Sequence, residues 1–422
     1  MSAGLLVLTT LVVPYLALTL VIAVGMHWPT APRPALRRWP SVDVVVAARD
    51  EEAVLPAALA ALRALDYPGV LRVIVVDDRS SDGTADVVRA ALARDPRLTL
   101  VQVRRPARRM APKVHAVATG VRAGGGEIVL TTDADCVVAP GWARAMVAPF
   151  ADPRVVWTLG SVTTRGPGAT RGFRERFEAI DWLSLMLVSR SLARLGWSLA
   201  SSANAQAYRR SAFEAASGFG RAGRAPSGDE DLLVQRLGRL PRARTVFVDE
   251  PAARVITAPT SSWRRLLTQR RRWVSRYQHV RQYHLGFWLG IALVGAHSLA
   301  LSVALLSLPL APAAAGIVFG LWGAKLAIEV PGMRAGMRLL GRPDLVGGVL
   351  GWALLHPFFT AAALLGSLLR PTTWRGPSPW GGPTATPANL WRRWRARWRR
   401  WRRRVSARTG ADRARSAGGP GW

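Results

Sequence analysis

Three long stretches of the chain contain no Asp, Glu, Lys or Arg, and they separate a polar middle from apolar ends. They are residues 1–32, Leu285–Ala324 and Val346–Leu369. A helix needs about 20 apolar residues to cross a bilayer, and the second stretch is long enough for two helices. The first stretch is too long for the core of a signal peptide and lacks a basic start. The pattern predicts an integral membrane protein with a retained N-terminal anchor at residues 1–32 and about three hydrophobic segments in residues 285–370.

The arginines around these stretches predict an orientation. Arg33, Arg37 and Arg38 follow the first apolar stretch, and nothing basic precedes it. By the positive-inside rule, residues 40–283 are expected in the cytoplasm, at the plasma (inner) membrane. Four full crossings would place the Arg-rich C-terminal tail outside, against the same rule. Either one late segment is re-entrant or the tail departs from the rule. A second group of arginines is expected on the cytoplasmic side too: Arg334, Arg338 and Arg342.

Within the polar middle, short apolar runs alternate with helical patterns. Residues 49–62 predict a helix with acidic residues in its first turn, and residues 80–93 predict a second helix that opens with capping residues. Alternation of this spacing is typical of an open, mostly parallel α/β sheet. The predicted strands are "VDVVVAA" (42–48), "LRVIVVDD" (71–78), "LTLVQV" (98–103) and "GEIVLTTDAD" (126–135).

Four acidic residues fall at the carboxyl ends of predicted strands, where open α/β sheets bind ligands. Asp133 and Asp135 point to the same side if the chain stays extended, so they suit a divalent cation that bridges diphosphate oxygens. The alternative is a solvated turn. Asp77 and Asp78 suit hydrogen bonds to a nucleobase, whereas helix capping alone explains the residues that follow them.

The formal charge of +32, from 58 Lys and Arg against 26 Asp and Glu, indicates a polyanionic partner. In "WRRWRARWRRWRRR" (391–404) the tryptophans recur at helical spacing, which predicts a membrane-surface helix attracted to anionic lipids. Nucleic-acid binding is the rival interpretation and is not expected beside a membrane. Residues 371–422 form this basic tail, which is expected to be partly disordered. Because Cys136 is the only cysteine, a disulfide framework and a cysteine zinc cluster are excluded.

Seven short motifs follow one another between residues 40 and 275: "VVVAARDEE", "VIVVDDRSSDGT", "PKVHAVATG", "TTDAD", "SANAQAYRRSAF", "GDEDL" and "QRRRW". Their order resembles that of membrane-bound family 2 glycosyltransferases, the branch with ceramide glucosyltransferase and the cellulose and hyaluronan synthases. The resemblance implies an α/β GT-A domain with a mostly parallel sheet, flanked here by transmembrane helices. It also implies a nucleotide-sugar donor, expected to be a UDP-sugar, a divalent metal (Mg²⁺ or Mn²⁺) and inversion at the anomeric carbon.

The resemblance also assigns roles to matching positions. Asp133 and Asp135 would bind the metal, and either Asp229 or Glu230 would be the general base, with Asp229 preferred. Ala118 departs from the family pattern, which often has Asn there, so a contact near the donor is in doubt. The positions implied in donor binding are Ala47, Arg49, Glu51, Asp77, Asp78, Lys113, Asp133, Gln269, Arg272 and Trp273.

The segment "TQRRRW" (268–273) lies just before the second apolar stretch, so its arginines have two interpretations. Arg272 is expected to face the diphosphate and Trp273 to line the acceptor site, whereas Arg270 and Arg271 are expected to be interfacial anchors. Residues 173–197 predict either an amphipathic lid in the membrane interface or a plain packed helix.

The sequence predicts transfer of a sugar to a lipid or lipid-like acceptor. A processive polysaccharide synthase is the alternative, weakened because few predicted spans surround the domain. A non-catalytic membrane scaffold that keeps the fold is the alternative from another class, and the intact set of acidic motifs argues against it.

Overall fold

The computed structural model describes residues 3–29, 34–105, 110–220, 223, 229–275 and 283–369, with side chains from residue 10 onward. The Trp- and Arg-rich segment 391–404 lies outside the described residues, as do Ser227 and Gly228 of the acidic motif.

A seven-stranded mixed sheet forms the centre of the polar middle, in the order β3-β2-β1-β4-β8-β6-β9. Strands β1 to β4 pair in parallel, and β8 pairs antiparallel with β4 and β6. A second sheet has the order β5-β10-β7. The strands are β1 Val42–Ala48, β2 Leu71–Asp77, β3 Leu98–Gln102, β4 Ile128–Asp133, β5 Cys136–Val138, β6 Val155–Leu159, β7 Val162–Thr164, β8 Gln206–Arg209, β9 Arg244–Phe247 and β10 Val255–Thr257.

The four predicted strands are confirmed as β1 to β4. Their β-branched residues are suited to a sheet that is covered on both faces. All but one residue of β1 is buried, and β4 is buried up to its last residue. The helices of this part are α2 Leu55–Arg63, α3 Thr84–Leu92, α4 Pro112–Ala123, α5 Trp142–Val147, α6 Gly172–Arg194, α7 Arg210–Ala215, α8 Asp229–Leu237 and α9 Trp263–Val274.

The acidic residues after β1 lie outside the helix that was predicted to contain them. Helix α2 begins only at Leu55, because Pro56 suits the first helical turn. Asp50 and Glu52 instead contact the loop after β2: Asp50 accepts a hydrogen bond from the backbone N–H of Ser81 at 2.8 Å, and Glu52 accepts one from Gly83 at 2.9 Å. They join the loops after two neighbouring strands.

Four helices of the described chain are long and apolar enough to cross a membrane. The third of them differs from its predicted position, since it continues past residue 324 to Leu339 and contains Lys325 and Glu329. These two residues form a buried ion pair, and Tyr15 donates to Glu329 at 2.6 Å. Arg334 and Arg338 therefore lie within this helix and not between spans. The four helices are α1 Ala3–His27, α10 Leu285–Leu306, α11 Ala315–Leu339 and α12 Val349–Leu369.

Helix α6 is packed and does not form a surface lid. Arg190, 2% exposed, donates to Asp249 at 2.6 Å and also to the carbonyl of Met26 at the end of α1. Ser191 donates to the carbonyl of Ile22 at 2.8 Å. Of the two interpretations of residues 173–197, the packed helix is right, and α6 connects α1 with the sheet.

Candidate active site

The register of the central strands brings the predicted site residues to one edge of the sheet. Ala47 in β1 lies opposite Asp133 in β4, and Ala48 lies opposite Asp77 in β2. The backbone N–H of Asp78 donates to the carbonyl of Ala48 at 2.8 Å. The carboxylates of Asp77 and Asp133 therefore lie on either side of the end of β1, because parallel strands end at the same edge of a sheet.

A cavity of about 2100 Å³ opens at this edge. Three predicted donor residues, Arg49, Asp77 and Asp78, are not among the described residues that line it. Their role in nucleoside binding stays a prediction. The other predicted site residues do line the cavity: Ala47, Glu51, Lys113, Asp133, Asp135, Asp229, Glu230, Gln269, Arg272 and Trp273.

Asp77 and Asp78 are buried and engage the protein itself. Asp77 accepts hydrogen bonds from the backbone N–H of Ser80 at 3.0 Å and from Gln102 at 3.3 Å. Asp78 accepts one from Arg79 at 2.9 Å. In this state both carboxylates stabilise the loop after β2, and a nucleobase would have to share or replace these contacts.

Lys113, at the start of α4, lies beside the carboxylate at the end of β4. Its Nζ is 2.7 Å from Oδ1 of Asp133. Burial disfavours the ammonium form, but the charge and hydrogen bond of Asp133 outweigh it and hold the pKa of Lys113 above its ordinary value. Lys113 therefore keeps its positive charge at all physiological pH values and is available to a diphosphate. Ala118, the departure from the family pattern, lies further along α4, and it is buried.

Asp133 ends β4, and Asp135 lies in the turn that follows, so the chain does not stay extended through the pair, although both carboxylates line the cavity. Burial, followed by the charge of Asp133, raises the pKa of Asp135, so two negative charges are held together at a cost that a cation would relieve. Oδ2 of Asp135 also accepts a hydrogen bond from Thr257 at 3.4 Å. The described residues contain no group of three His, Cys, Asp or Glu side chains suited to a metal. Two protein carboxylates would leave positions for diphosphate oxygens and water, as Mg²⁺ sites commonly do.

The acidic motif at the start of α8 divides into two parts. Asp231 is 1% exposed and accepts a hydrogen bond from the backbone N–H of Ser201 at 2.9 Å, so it holds the loop before β8. All three acids line the cavity, and Asp229 and Glu230 are half-buried there. Burial and then the charge of Glu230 raise the pKa of Asp229 to about 8, and Lys113 partly opposes this. A carboxylate with that pKa suits proton transfer near neutral pH.

Ser262 is the N-cap of α9, and its hydroxyl accepts a hydrogen bond from the backbone N–H of Arg265 at 3.3 Å. The prediction that Arg270 is an interfacial anchor is wrong. Arg270 is 6% exposed and bonds to Asp181 of α6 at 2.5 Å. Arg271 donates to the carbonyl of Gly366 in α12 at 2.8 Å, so it too has a partner inside the protein. The helical period turns Arg270 inward, and a buried acid compensates its charge.

The same cavity continues between the apolar helices. Its walls include Ile22 of α1, Ile291 of α10 and Leu364 of α12. The polar residues there, among them Asp181 and Glu329, were not predicted from the sequence. Lys325 and Glu329 are four residues apart in an apolar segment, and they could have predicted a polar site there. Ionisable residues inside a membrane are rare and face protein or a cavity. Asp181 gave no such signal.

Comparisons with known proteins identify the family and the fold. The profile of the family described as "Glycosyl transferase family 2" matches residues 43–216. An N-acetylglucosaminyltransferase of Rhizobium meliloti (strain 1021) is 31% identical over 178 residues, which is 42% of this chain and 41% of that protein. The matched region thus spans about two fifths of that relative's length.

Two further proteins add to this. An N-acetylglucosaminyltransferase of Bradyrhizobium elkanii is 31% identical over 133 residues, which is 31% of this chain and 71% of that protein. A mannosyltransferase of Pyrobaculum calidifontis, solved with GDP-Man and Mn²⁺, superposes with a TM-score of 0.61 at 21% identity, covering 87% of this chain and 99% of that one. The last likeness concerns the fold and confirms the predicted GT-A architecture. The profile match, the sequence similarity to the B. elkanii protein and the shared fold together show that the chain belongs to glycosyltransferase family 2.

Proposed function

We propose that the protein transfers a sugar from a nucleotide-diphosphate donor to a lipid acceptor, with inversion, at the cytoplasmic face of the membrane. One observation carries the proposal: a single cavity joins the carboxylates at the strand ends to apolar walls supplied by α1, α10 and α12. A water-soluble donor suits the first part of the cavity. An acceptor with hydrocarbon chains suits the second.

The donor is proposed to lie over the ends of β1 and β4. Asp133 and Asp135 would hold a divalent metal, which supplies positive charge to the diphosphate. Lys113 and Arg272 would add fixed charge at the same group. The P. calidifontis structure contains Mn²⁺ and a nucleotide sugar, which supports a metal here. Two matched relatives are named N-acetylglucosaminyltransferases, so UDP-N-acetylglucosamine is the first donor to test.

The proposed reaction is a single displacement. The acceptor hydroxyl oxygen forms a bond to the anomeric carbon while the bond from that carbon to the diphosphate oxygen breaks. The diphosphate leaves with the electron pair, and Asp229 takes the hydroxyl proton. Its position on the cavity and its raised pKa support this role, with Glu230 as the second candidate.

The test uses the full chain, purified and reconstituted in vesicles made with a total bacterial lipid extract. Radiolabelled UDP-N-acetylglucosamine, UDP-glucose and GDP-mannose are supplied in turn with Mn²⁺ or Mg²⁺. We expect nucleotide release and a labelled product of lipid-like mobility that contains one sugar. A labelled polymer would favour the processive synthase, and no release with any donor would favour the scaffold.

A further inference from the structure

Arg270 connects two residues of the "QRRRW" motif in α9, Gln269 and Trp273, to the neighbouring helix α6. Its Nε donates to Oδ2 of Asp181 at 2.5 Å, and its Nη1 donates to Oε1 of Gln269 at 2.6 Å. The carbon centre of the guanidinium lies 4.0 Å from the centroid of the Trp273 ring. One buried side chain therefore contacts both Gln269 and Trp273.

The contact with Gln269 fixes which way its amide faces. A guanidinium carries only donors, so the amide oxygen must face Arg270 and the NH₂ group must face away from it. Gln269 lines the cavity, and the NH₂ group is the part left for a ligand oxygen. Without Arg270 the amide would be free to rotate and present its oxygen, which an anionic diphosphate would repel.

The ring of Trp273 is held from two sides. Arg270 lies over its face, and the ring of Trp182 meets it at 4.7 Å and 75°, an edge-to-face contact. Trp182 follows Asp181 in α6, so α6 supplies both the acid that holds the arginine and the second aromatic contact. Together these two contacts hold the ring of Trp273 in place on the cavity wall.

Asp181 is itself enclosed. It is 6% exposed, and its Oδ1 lies 3.9 Å from Nε2 of His356 in α12. Nη2 of Arg270 has no hydrogen-bond partner among the described residues, so the arginine is held through Nε and Nη1. A buried charge pair of this kind adds little net stability compared with apolar side chains. Its geometry toward Gln269 and Trp273 is what apolar residues would not reproduce.

We propose that Arg270, held by Asp181, is a positioning residue for the transfer reaction. It orients the Gln269 amide toward the donor and the Trp273 ring toward the acceptor. Asp181 acts one step further away, by fixing Arg270. This inference rests on the proposed transfer of a sugar at this cavity.

The deciding variant is Arg270→Lys, with Arg264→Lys on the exposed side of the same helix as its control. Lysine keeps a positive partner for Asp181, so the melting temperature should stay close to that of the unaltered protein. It loses the planar group and the second donor, so transfer should fall about tenfold, the value of one charge-assisted hydrogen bond. Asp181→Asn should lower transfer to a similar degree, and Asp181→Glu should restore part of it.

A double-mutant cycle tests whether Arg270 acts through its neighbours. The loss caused by Arg270→Lys should shrink when Gln269→Ala or Trp273→Ala is already present, since coupled residues are not additive. Losses that multiply in full would overturn the proposal. So would Arg270→Lys protein with unaltered transfer.

A spectroscopic readout decides the matter without turnover. Paired indoles at this separation couple in circular dichroism, and Trp273→Phe identifies their band. Arg270→Lys should weaken that band, and Arg264→Lys should not. If the unaltered protein releases no nucleotide, the proposed function fails, yet this band still decides the positioning role. An unchanged band in Arg270→Lys would overturn it.

Discussion

At the scale of single residues, Asp135 is the clearest test of the proposed metal site. Asp135→Ala should lower transfer about a hundredfold or more, because the loss of a metal ligand removes charge stabilisation of the leaving group. The fold should survive, since the strand behind it stays buried. Transfer assays with Mn²⁺ and thermal unfolding check both points. Asp86→Ala, an exposed acid on α3, is the control and should behave as the unaltered protein. Equal turnover by Asp135→Ala in EDTA and by unaltered protein in Mn²⁺ would remove Asp135 from the metal site.

The pKa of about 8 for Asp229 predicts a pH dependence of the proposed reaction. A general base must be unprotonated, and a carboxyl with a raised pKa is protonated below it. The rate should therefore rise between pH 6 and 9 with a midpoint near 8. A pH–rate profile of transfer at saturating donor measures it.

Substitution separates the two candidate bases. Asp229→Asn should cost about a hundredfold to ten-thousandfold in turnover and remove the alkaline rise, with donor affinity little changed. Glu230→Gln should instead shift the rise to lower pH, because the charge of Glu230 raises the pKa of Asp229. If both variants keep near-normal rates, the base lies elsewhere.

At the scale of elements, α9 carries arginines in different environments, and substitution can tell them apart. Arg272 lines the cavity, whereas Arg264 is exposed and is not among the residues that line it. Arg272→Lys keeps the charge but loses the planar fork that suits a diphosphate, so turnover should fall about tenfold to a hundredfold. Arg264→Lys should keep full activity. Both proteins should remain in the membrane fraction, and equal activity of the two would return "TQRRRW" to the anchor interpretation.

Helix α6 should be the element that couples α1 to the sheet. Arg190→Ala breaks a largely buried ion pair with Asp249 and the contact with α1, and it should destabilise the fold by about 3 kcal/mol. Arg176→Ala, an exposed position on the same helix, should have little effect. Thermal unfolding in one detergent compares them. A melting temperature of Arg190→Ala equal to that of Arg176→Ala would contradict this role.

At the scale of the whole molecule, the proposed domains are an anchor at 1–32, the GT-A domain at 40–283, a membrane region at 285–370 and the basic tail at 371–422. Their placement relative to a bilayer predicts accessibility. In a Cys136→Ser background, Arg94→Cys should react with an impermeant thiol reagent only after cells are permeabilised. Ala311→Cys, between α10 and α11, should react in intact cells. Labelling of Arg94→Cys in intact cells would reverse the proposed orientation.

The sequence by itself determined the first four strands, the fold class and the apolar helices. β-branched runs such as Val42–Ala48 favour a buried strand, and the uncharged stretches are long and apolar enough for helices that could cross a membrane. The strand-end carboxylates were also readable, because the edge at which parallel strands end follows from chain direction alone. These inferences use only neighbours in the chain, and the described structure confirms the strands and the four long apolar helices.

Only the tertiary structure decided which side chains meet across the fold. Arg270 looked like an anchor because its sequence neighbours are arginines, yet its partner Asp181 lies 89 residues away in α6. Asp231 belongs to a run of three acids, and its burial and its bond to Ser201 distinguish it from the other two. Lys325 ends an apolar pattern in the sequence but continues α11, because Glu329 compensates its charge and in turn accepts a hydrogen bond from Tyr15. Burial and pairing of charge depend on distant residues, and no local pattern records them.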